Sequence, residues 1–273
     1  MPPVIKHKLY NSLEPMLPSL FAFFFNPIHT MLRSLVPLLL ATFTVPSLTE
    51  QVSVRFYGES QCPFCRKFVE EVWSEIWKDA DLQSYIDYDF VPWGNAYFAT
   101  AMCGQGPYDP KERACFYDHC ITAEDPDDKA CFGGEPIYQH SEKEGKVDIY
   151  ETCILHDVGL KEAVDFTYCV EGSIMDDTSL TAQDLLEKCA SEGVDPSKVQ
   201  DCLETRGRSL EIKNAKKTPV HPGVPYVLVD GESLDDPFQT KAAICEKLKQ
   251  KGATPNACAS ETVFSRTEVS LSK

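Results

Sequence analysis

The sequence predicts an α/β fold in which a βαβ half and a C-terminal ββα half flank a helical, disulfide-rich insertion. Three observations predict it. Strand-like alternation gives way to helical spacing at a Cys-x-x-Cys pair, Cys62 and Cys65. A short apolar strand follows Val224-Pro225 far downstream. The chain of 273 residues carries 12 cysteines, all of them beyond residue 49, a density that points to an oxidising compartment or to metal sites rather than to a reduced cytosolic enzyme. The segmentation read from the sequence is a targeting segment over 1–49, an α/β domain over 50–258 and a tail over 259–273. Within the domain, 97–137 reads as an irregular Cys-rich insertion and 138–218 as a mostly helical insert.

Residues 1–49 differ in kind from the rest. Arg33 precedes an apolar run, Leu35–Val45, with smaller residues around Ser47, the pattern of a secretory signal starting at Met31. Neither this run nor Met16–Phe25 reaches the roughly 18–20 residues that span a bilayer, and Pro18 and Pro37 interrupt both. An uncleaved N-terminal anchor is the alternative; no stable membrane insertion is expected. The composition, 43% hydrophobic and 25% charged, is that of a globular protein, and the net charge of −16 argues against nucleic acid as a partner.

The first elements follow from periodicity. Val52, Val54 and Phe56 alternate with Ser53, Arg55 and Tyr57 up to Gly58, a strand. Cys65, Phe68, Val69, Val72, Trp73 and Ile76 then recur at three- and four-residue steps, the buried face of a helix whose outer side carries Glu70, Glu71, Glu75 and Lys78. Ile86, Tyr88 and Phe90 alternate again. Strand, helix and strand form one parallel unit.

The chemistry sits at the strand-to-helix junction, Ser60-Gln61-Cys62-Pro63-Phe64-Cys65. A helix N-terminus offers unpaired N–H groups and partial positive charge, so a Cys62 thiolate is stabilised there. Pro63 suits the first turn. Cys65 lies three residues on, on the same face and one turn inward, so the two sulfurs can close and open a disulfide. An exposed Cys62 is expected to attack a substrate disulfide and Cys65 to resolve the mixed disulfide, with Arg66 and Lys67 adding positive charge. The competing readings are half a zinc site, which normally needs a second such pair that this chain lacks, and an inert structural disulfide.

Downstream, Val224-Pro225 precedes Tyr226-Val227-Leu228-Val229 and the turn Asp230-Gly231. A proline ahead of a buried strand opposite a Cys-x-x-Cys helix points to a cis peptide bond. Its expected role is to leave the Val224 backbone free to pair with an extended substrate and to hinder metal capture by the thiols. A helix over 239–251, stopped by Gly252, closes the domain. In the middle, Ser179–Leu186 and Asp195–Val199 begin helices, with Asp176–Thr178 and Asp195 as cap candidates and Pro196 in a first turn. Cys189 with Cys202, Cys153 with Cys169 and Cys245 with Cys258 are candidate local pairs, although spacing does not fix connectivity. His119, His140, His156 and His221 read as surface or structural residues, and Glu124–Asp128 as a solvated acidic loop.

Strand–Cys-x-x-Cys–helix followed by Val-Pro-strand resembles the thioredoxin fold. Two further motifs narrow the resemblance to the gamma-interferon-inducible lysosomal thiol reductase family. Val91-Pro92-Trp93-Gly94-Asn95-Ala96 is similar to that family's Val-Pro-Tyr-Gly-Asn-Ala. Its signature Cys-Gln-His-Gly-x-x-Glu-Cys-x-x-Asn-x-x-x-x-Cys is matched at Gln139, His140, Glu144 and Cys153. Tyr138 and Gly145 replace two signature cysteines, Ser141 replaces Gly, and Asp148 replaces Asn. Cys169, Cys189, Cys202 and Thr205-Arg206-Gly207 fall in the family's order. The loss of both cysteines together implies that they normally bridge each other or have been replaced by new partners. Cys103, Cys115, Cys120 and Cys131 supply such partners and are expected to brace the insertion with disulfides.

The resemblance implies a thiol–disulfide oxidoreductase that reduces protein disulfides in the secretory or endolysosomal pathway. Its destination would be secreted or a lysosomal or vacuolar lumen, though no Asn-x-Ser/Thr glycan site is present. Cys62 and Cys65 are the expected catalytic residues, and Val224 and Pro225 the expected substrate platform. No metal or cofactor is expected. Disulfide-bonded proteins are the expected substrates, with a small thiol or a protein as electron donor. The alternatives are a disulfide oxidase or isomerase, and a secreted non-catalytic cystine-rich binding protein.

Overall fold

A computed structural model describes residues 51–259; the signal segment read at Met31–Ser47 lies outside them. Strand β1 (Val52–Gly58) runs parallel to β2 (Ile86–Pro92), with Phe56 opposite Phe90. Between them lies one helical stretch. It is made of α1 (Pro63–Phe68), a π-helical turn (Val69–Trp73) and α2 (Ser74–Lys78), followed by a short α3 (Ala80–Gln83). On the other side of β1, β5 (Tyr226–Val229) is antiparallel and turns through Asp230 and Gly231, both at positive φ (50° and 80°), into β6 (Glu232–Ser233). The sheet order β2-β1-β5-β6, closed by α10 (Thr240–Gln250), is the βαβ plus ββα arrangement of a thioredoxin-like fold.

Alternation along β1 divides two cores. Val52, Val54 and Phe56 face Phe68, Val69, Trp73 and Ile76, joined by Val227, Val229, Ile244 and Leu248. Tyr57 faces the other way, into an aromatic core of Trp93, Tyr97, Phe98, Phe116, Tyr117 and Phe132. This second core belongs to the 97–137 insertion. That segment is more regular than its Gly, Pro and Asp content implies. Strands β3 (Tyr97–Phe98) and β4 (Pro136–Ile137) pair, and helices α4 (Pro110–Phe116) and α5 (Asp128–Phe132) lie between them. The residues that read as loop formers are helix caps. Asp109 and Asp127 accept from the backbone of the first turns, with Pro110 in its first-turn place. Cys103–Cys115 and Cys120–Cys131 bridge the segment.

The helical insert holds α6 (Glu142–Asp157), α7 (Leu160–Ile174), α8 (Ala182–Cys189) and α9 (Pro196–Lys217) around a third core that includes Ile154, Phe166, Leu185 and Leu186. Asp195 caps α9, with Pro196 at its start. The cap of α8 is Thr181, in a capping box with Asp184, and not Asp176–Thr178. Asp176 is instead ion-paired to Arg66, and Asp177 accepts from Ser179. The disulfides also differ from the local pairs. Cys153 bonds Cys202 across α6 and α9, and Cys169 bonds Cys189 across α7 and α8. Cys153 stands six residues before the turn at Gly159 and Cys169 ten after it. Facing helices would hold them roughly 6 Å out of level. Cys245–Cys258 forms as expected.

Candidate active site

The chain leaves β1 at Gly58 and reaches α1 through Glu59, Ser60 and Gln61, the last at φ 70°. Cys62 is the N-cap of α1. Its sulfur accepts the Cys65 N–H at 3.4 Å, and Pro63 fills the first turn. The Cys62 S–H donates to the Val224 carbonyl at 3.8 Å, and the Val224–Pro225 bond is cis. The structure therefore brings together Cys62, Cys65 and Val224, with Pro225 adjoining, although more than 150 residues of sequence separate the two pairs. Both cysteines are free thiols.

The two sulfurs differ in environment. Cys65 is fully buried, and burial, followed by the neighbouring Cys62, pushes its pKa well up. Cys62 is drawn down to about 6, first by the hydrogen bond from the Cys65 side chain, which outweighs desolvation. The Cys65 and Phe64 N–H groups and the charge of His140 lower it further. Two expectations need correction. Cys62 is only 5% exposed, while Phe64 beside it is 65% exposed. The neighbouring segments cover it: Val224 meets its sulfur, and Gln61, one residue back, is hydrogen-bonded to Ser141. Arg66 is committed to Glu70 and Asp176, and Lys67 pairs with Glu71. The cation that acts on Cys62 is His140.

The residues that sequence reasoning passed over are those that build the junction. Ser60 donates its N–H and hydroxyl to Asp148 Oδ1 at 2.9 and 2.8 Å, and its hydroxyl lies 3.1 Å from the Glu144 carbonyl. The fully buried Glu59 carboxylate accepts the Asn95 N–H at 2.6 Å and the Asn95 amide at 3.3 Å. A Cβ on Gly94, which sits at φ +56°, would collide with the Glu59 side chain. His140 Nδ1 contacts Glu144 and lies 3.7 Å from Glu59. Glu144 also accepts the Gln139 and His140 N–H groups. His140, read as an isolated structural histidine, thus sits between two buried acids. Burial raises Glu59 to about 8 and also raises Glu144, while the hydrogen bond to Glu144 raises His140. His221 is buried and bonded to Arg113 and the Pro219 carbonyl, a structural role.

Two groups bring metal-ligating atoms within 4.8 Å of one another, Glu59/His140/Glu144 and Cys103/Cys115/His119. The first is already hydrogen-bonded internally and to Asn95, and the sulfurs of the second are bonded to each other. In both sets the ligand atoms are thus already engaged with one another or with Asn95.

The family model for gamma interferon inducible lysosomal thiol reductase matches residues 53–133. A gamma-interferon-responsive lysosomal thiol protein of Arabidopsis thaliana is 28% identical over 242 residues, covering 84% of this chain and 86% of its own. The gamma-interferon-inducible lysosomal thiol reductase of Mus musculus is 28% identical over 214 residues, covering 77% and 72%. Among solved structures, oxidised BdbD of Bacillus subtilis aligns at a TM-score of 0.46 and 14% identity, over 76% of this chain and 95% of that one. By family model and by relatives alike, the chain is similar to the gamma-interferon-inducible lysosomal thiol reductases.

Proposed function

We propose that this thiol–disulfide oxidoreductase reduces protein disulfides through Cys62 and Cys65. The observation that carries the reading is the inequality of the two sulfurs. One is held ionisable near pH 6 at a helix start against the Val224 carbonyl, and the other is buried and held protonated behind it. The Cys62 thiolate attacks one sulfur of a substrate disulfide, forming a mixed disulfide and expelling the other sulfur as a thiolate. Cys65 then loses its proton and attacks Cys62, closing Cys62–Cys65 and releasing the second substrate thiolate. Two electrons pass to the substrate, and an external thiol, small or protein-borne, must reduce the pair again. Val224 and Pro225 form the platform beside Cys62 on which an extended substrate segment lies. Five disulfides in the described residues support a secretory or endolysosomal lumen as the place of action. The likeness to named lysosomal thiol reductases supports the same compartment.

The test is insulin-disulfide reduction by wild type and Cys62→Ser at about pH 4.5 and about pH 7 in the presence of a thiol donor. Turnover by the wild type and none by the variant is expected. Equal rates in the two proteins would end the reading.

A further inference from the structure

The two motifs that carry the family resemblance, Gly94-Asn95 and Gln139-His140 with Glu144, converge on one carboxylate, Glu59, three residues before Cys62. Nothing in the two-sulfur exchange requires this. Gly94 leaves room for the carboxyl, Asn95 donates to it twice, and the Gln139 side-chain oxygen accepts from the Asn95 amide at 2.6 Å. His140 lies on the open side of this arrangement, its side chain 27% exposed, where both acids behind it are fully buried. The neighbour of His140, Ser141, is bonded to Gln61, the neighbour of Cys62. A titratable ring is therefore held against two buried acids and tied, through the next residue, to the residue before Cys62, with part of its side chain open to solvent.

We propose that Glu59, His140 and Glu144 form a positioning cluster that holds a cationic imidazole beside Cys62 and so sets how much of that sulfur is thiolate. The cluster takes no part in bond making. Glu144 keeps His140 charged, and His140⁺ favours the ionised sulfur. Glu59 holds the ring in place as a neutral acid over the range where Cys62 ionises, because its carboxyl gives up its proton only near pH 8. The other titratable groups around the cluster are Cys65 from α1, Asp148 and Glu151 from α6, Glu171 from α7, and Tyr108 and Tyr117 with Arg113 from the insertion. Burial raises Glu59, Asp148, Glu151 and Glu171, which weakens their charge against the cation in the acid range; Glu144, raised by burial but lowered by its hydrogen bond to His140, is the acid paired with it.

The inference rests on the proposed role of Cys62 only for what the thiolate is used for. Its test reads the sulfur itself, so it can fail while insulin reduction stands, and stand while insulin reduction fails. Iodoacetamide alkylation of Cys62, located by mass spectrometry, is followed from about pH 4 to about pH 9 on a Cys65→Ser background, whose hydroxyl still donates to Cys62. Thermal melts accompany each variant. His140→Gln is expected to move the alkylation midpoint up and to slow alkylation at about pH 5 by roughly fivefold or more. His140→Lys, a fixed cation, holds the midpoint low, and Glu144→Gln raises it by less than His140→Gln. Glu59→Gln replaces one neutral group by another and does not raise it. An unmoved midpoint in His140→Gln overturns the proposal. So does a rise in His140→Lys or Glu59→Gln as large as in His140→Gln, because packing rather than charge would then be at work. Should His140→Gln melt below the assay temperature, the Lys and Glu144→Gln variants decide by the same criteria.

Discussion

The ring of Tyr138 lies against the backbone of Gly145 so closely that a Cβ on residue 145 would collide with it. These two positions carry cysteines in the family signature. The structure replaces a candidate covalent link with a ring packed on a glycine, and the Tyr138 hydroxyl donates to Glu211 on α9. A methyl group here has no room, because the ring is held at its far end and the helix backbone at its near end. Gly145→Ala is expected to cost about 1–3 kcal/mol by overpacking, visible as a lower thermal midpoint. Tyr138→Cys with Gly145→Cys removes the ring and leaves two thiols facing each other. Mass spectrometry of that protein under non-reducing conditions is expected to show a sixth disulfide. Two free thiols at 138 and 145 would count against the positions facing one another.

Stability follows from the buried acids. Burial raises Glu59 and Glu151 to about 8, from ordinary values of 4.5. The folded protein therefore keeps protons that the unfolded chain has already lost between these limits. Stability from each group is fully present below about pH 4.5 and falls as pH rises towards 8, by up to about 1.4 kcal/mol per pH unit. Cys62 works in the opposite sense, because its lowered pKa adds stability as pH rises above about 6. In the oxidised protein Cys62 does not titrate. Burial holds His221 down to about 4, which adds stability as pH rises until about 6.5, its ordinary value. The thermal midpoint of that form is expected to fall between about pH 6.5 and about pH 8. Glu151→Gln is expected to flatten the slope. A midpoint that climbs with pH in that range would contradict the assignment of neutral buried carboxyls.

What was legible in the sequence was local. The turn from alternation to helical spacing at Cys62, the proline in the first turn, and the strand after Pro225 each follow from neighbours within a few residues. Those features fix the sheet and the two sulfurs. Glu59 was silent, and Asn95 and Asp148 were motif letters without a role, because their meaning comes from partners 36 to 88 residues away, and a lone acid beside a strand end reads as solvated. His140 was visible as a motif letter but not as a charge, since its two carboxylates lie on different elements. The aspartates of the insertion read as loop formers, because a cap and a turn use the same side-chain hydrogen bond.

Disulfide pairing failed for a related reason. Proximity in sequence favours Cys153 with Cys169, while helix packing sets α6 against α9 and α7 against α8. Peptide mapping of the oxidised protein is expected to recover Cys153–Cys202 and Cys169–Cys189. Replacing both Cys153 and Cys202 by Ala is expected to cost about 2–4 kcal/mol in denaturant unfolding. Recovery of Cys153–Cys169 by mapping would show that the helical insert packs differently.

Under the proposed exchange, the burial of Cys65 separates the resolving step from the attack. Cys62 is the sulfur that meets the Val224 carbonyl, while Cys65 has no exposed surface. Cys62 is itself only 5% exposed, so what access there is leads to the first sulfur and not to the second. In Cys65→Ser the attack still occurs, because Cys62 keeps its backbone donors at the helix start and a hydroxyl nearby. The mixed disulfide then has no internal thiol to release it. A covalent complex with a disulfide-bonded protein substrate is expected to accumulate on non-reducing gels and to vanish with dithiothreitol. Cys62→Ser gives no complex, because Cys65 stays buried and protonated. Complexes formed equally by both variants would mean that the sulfurs do not divide the work as their burial implies.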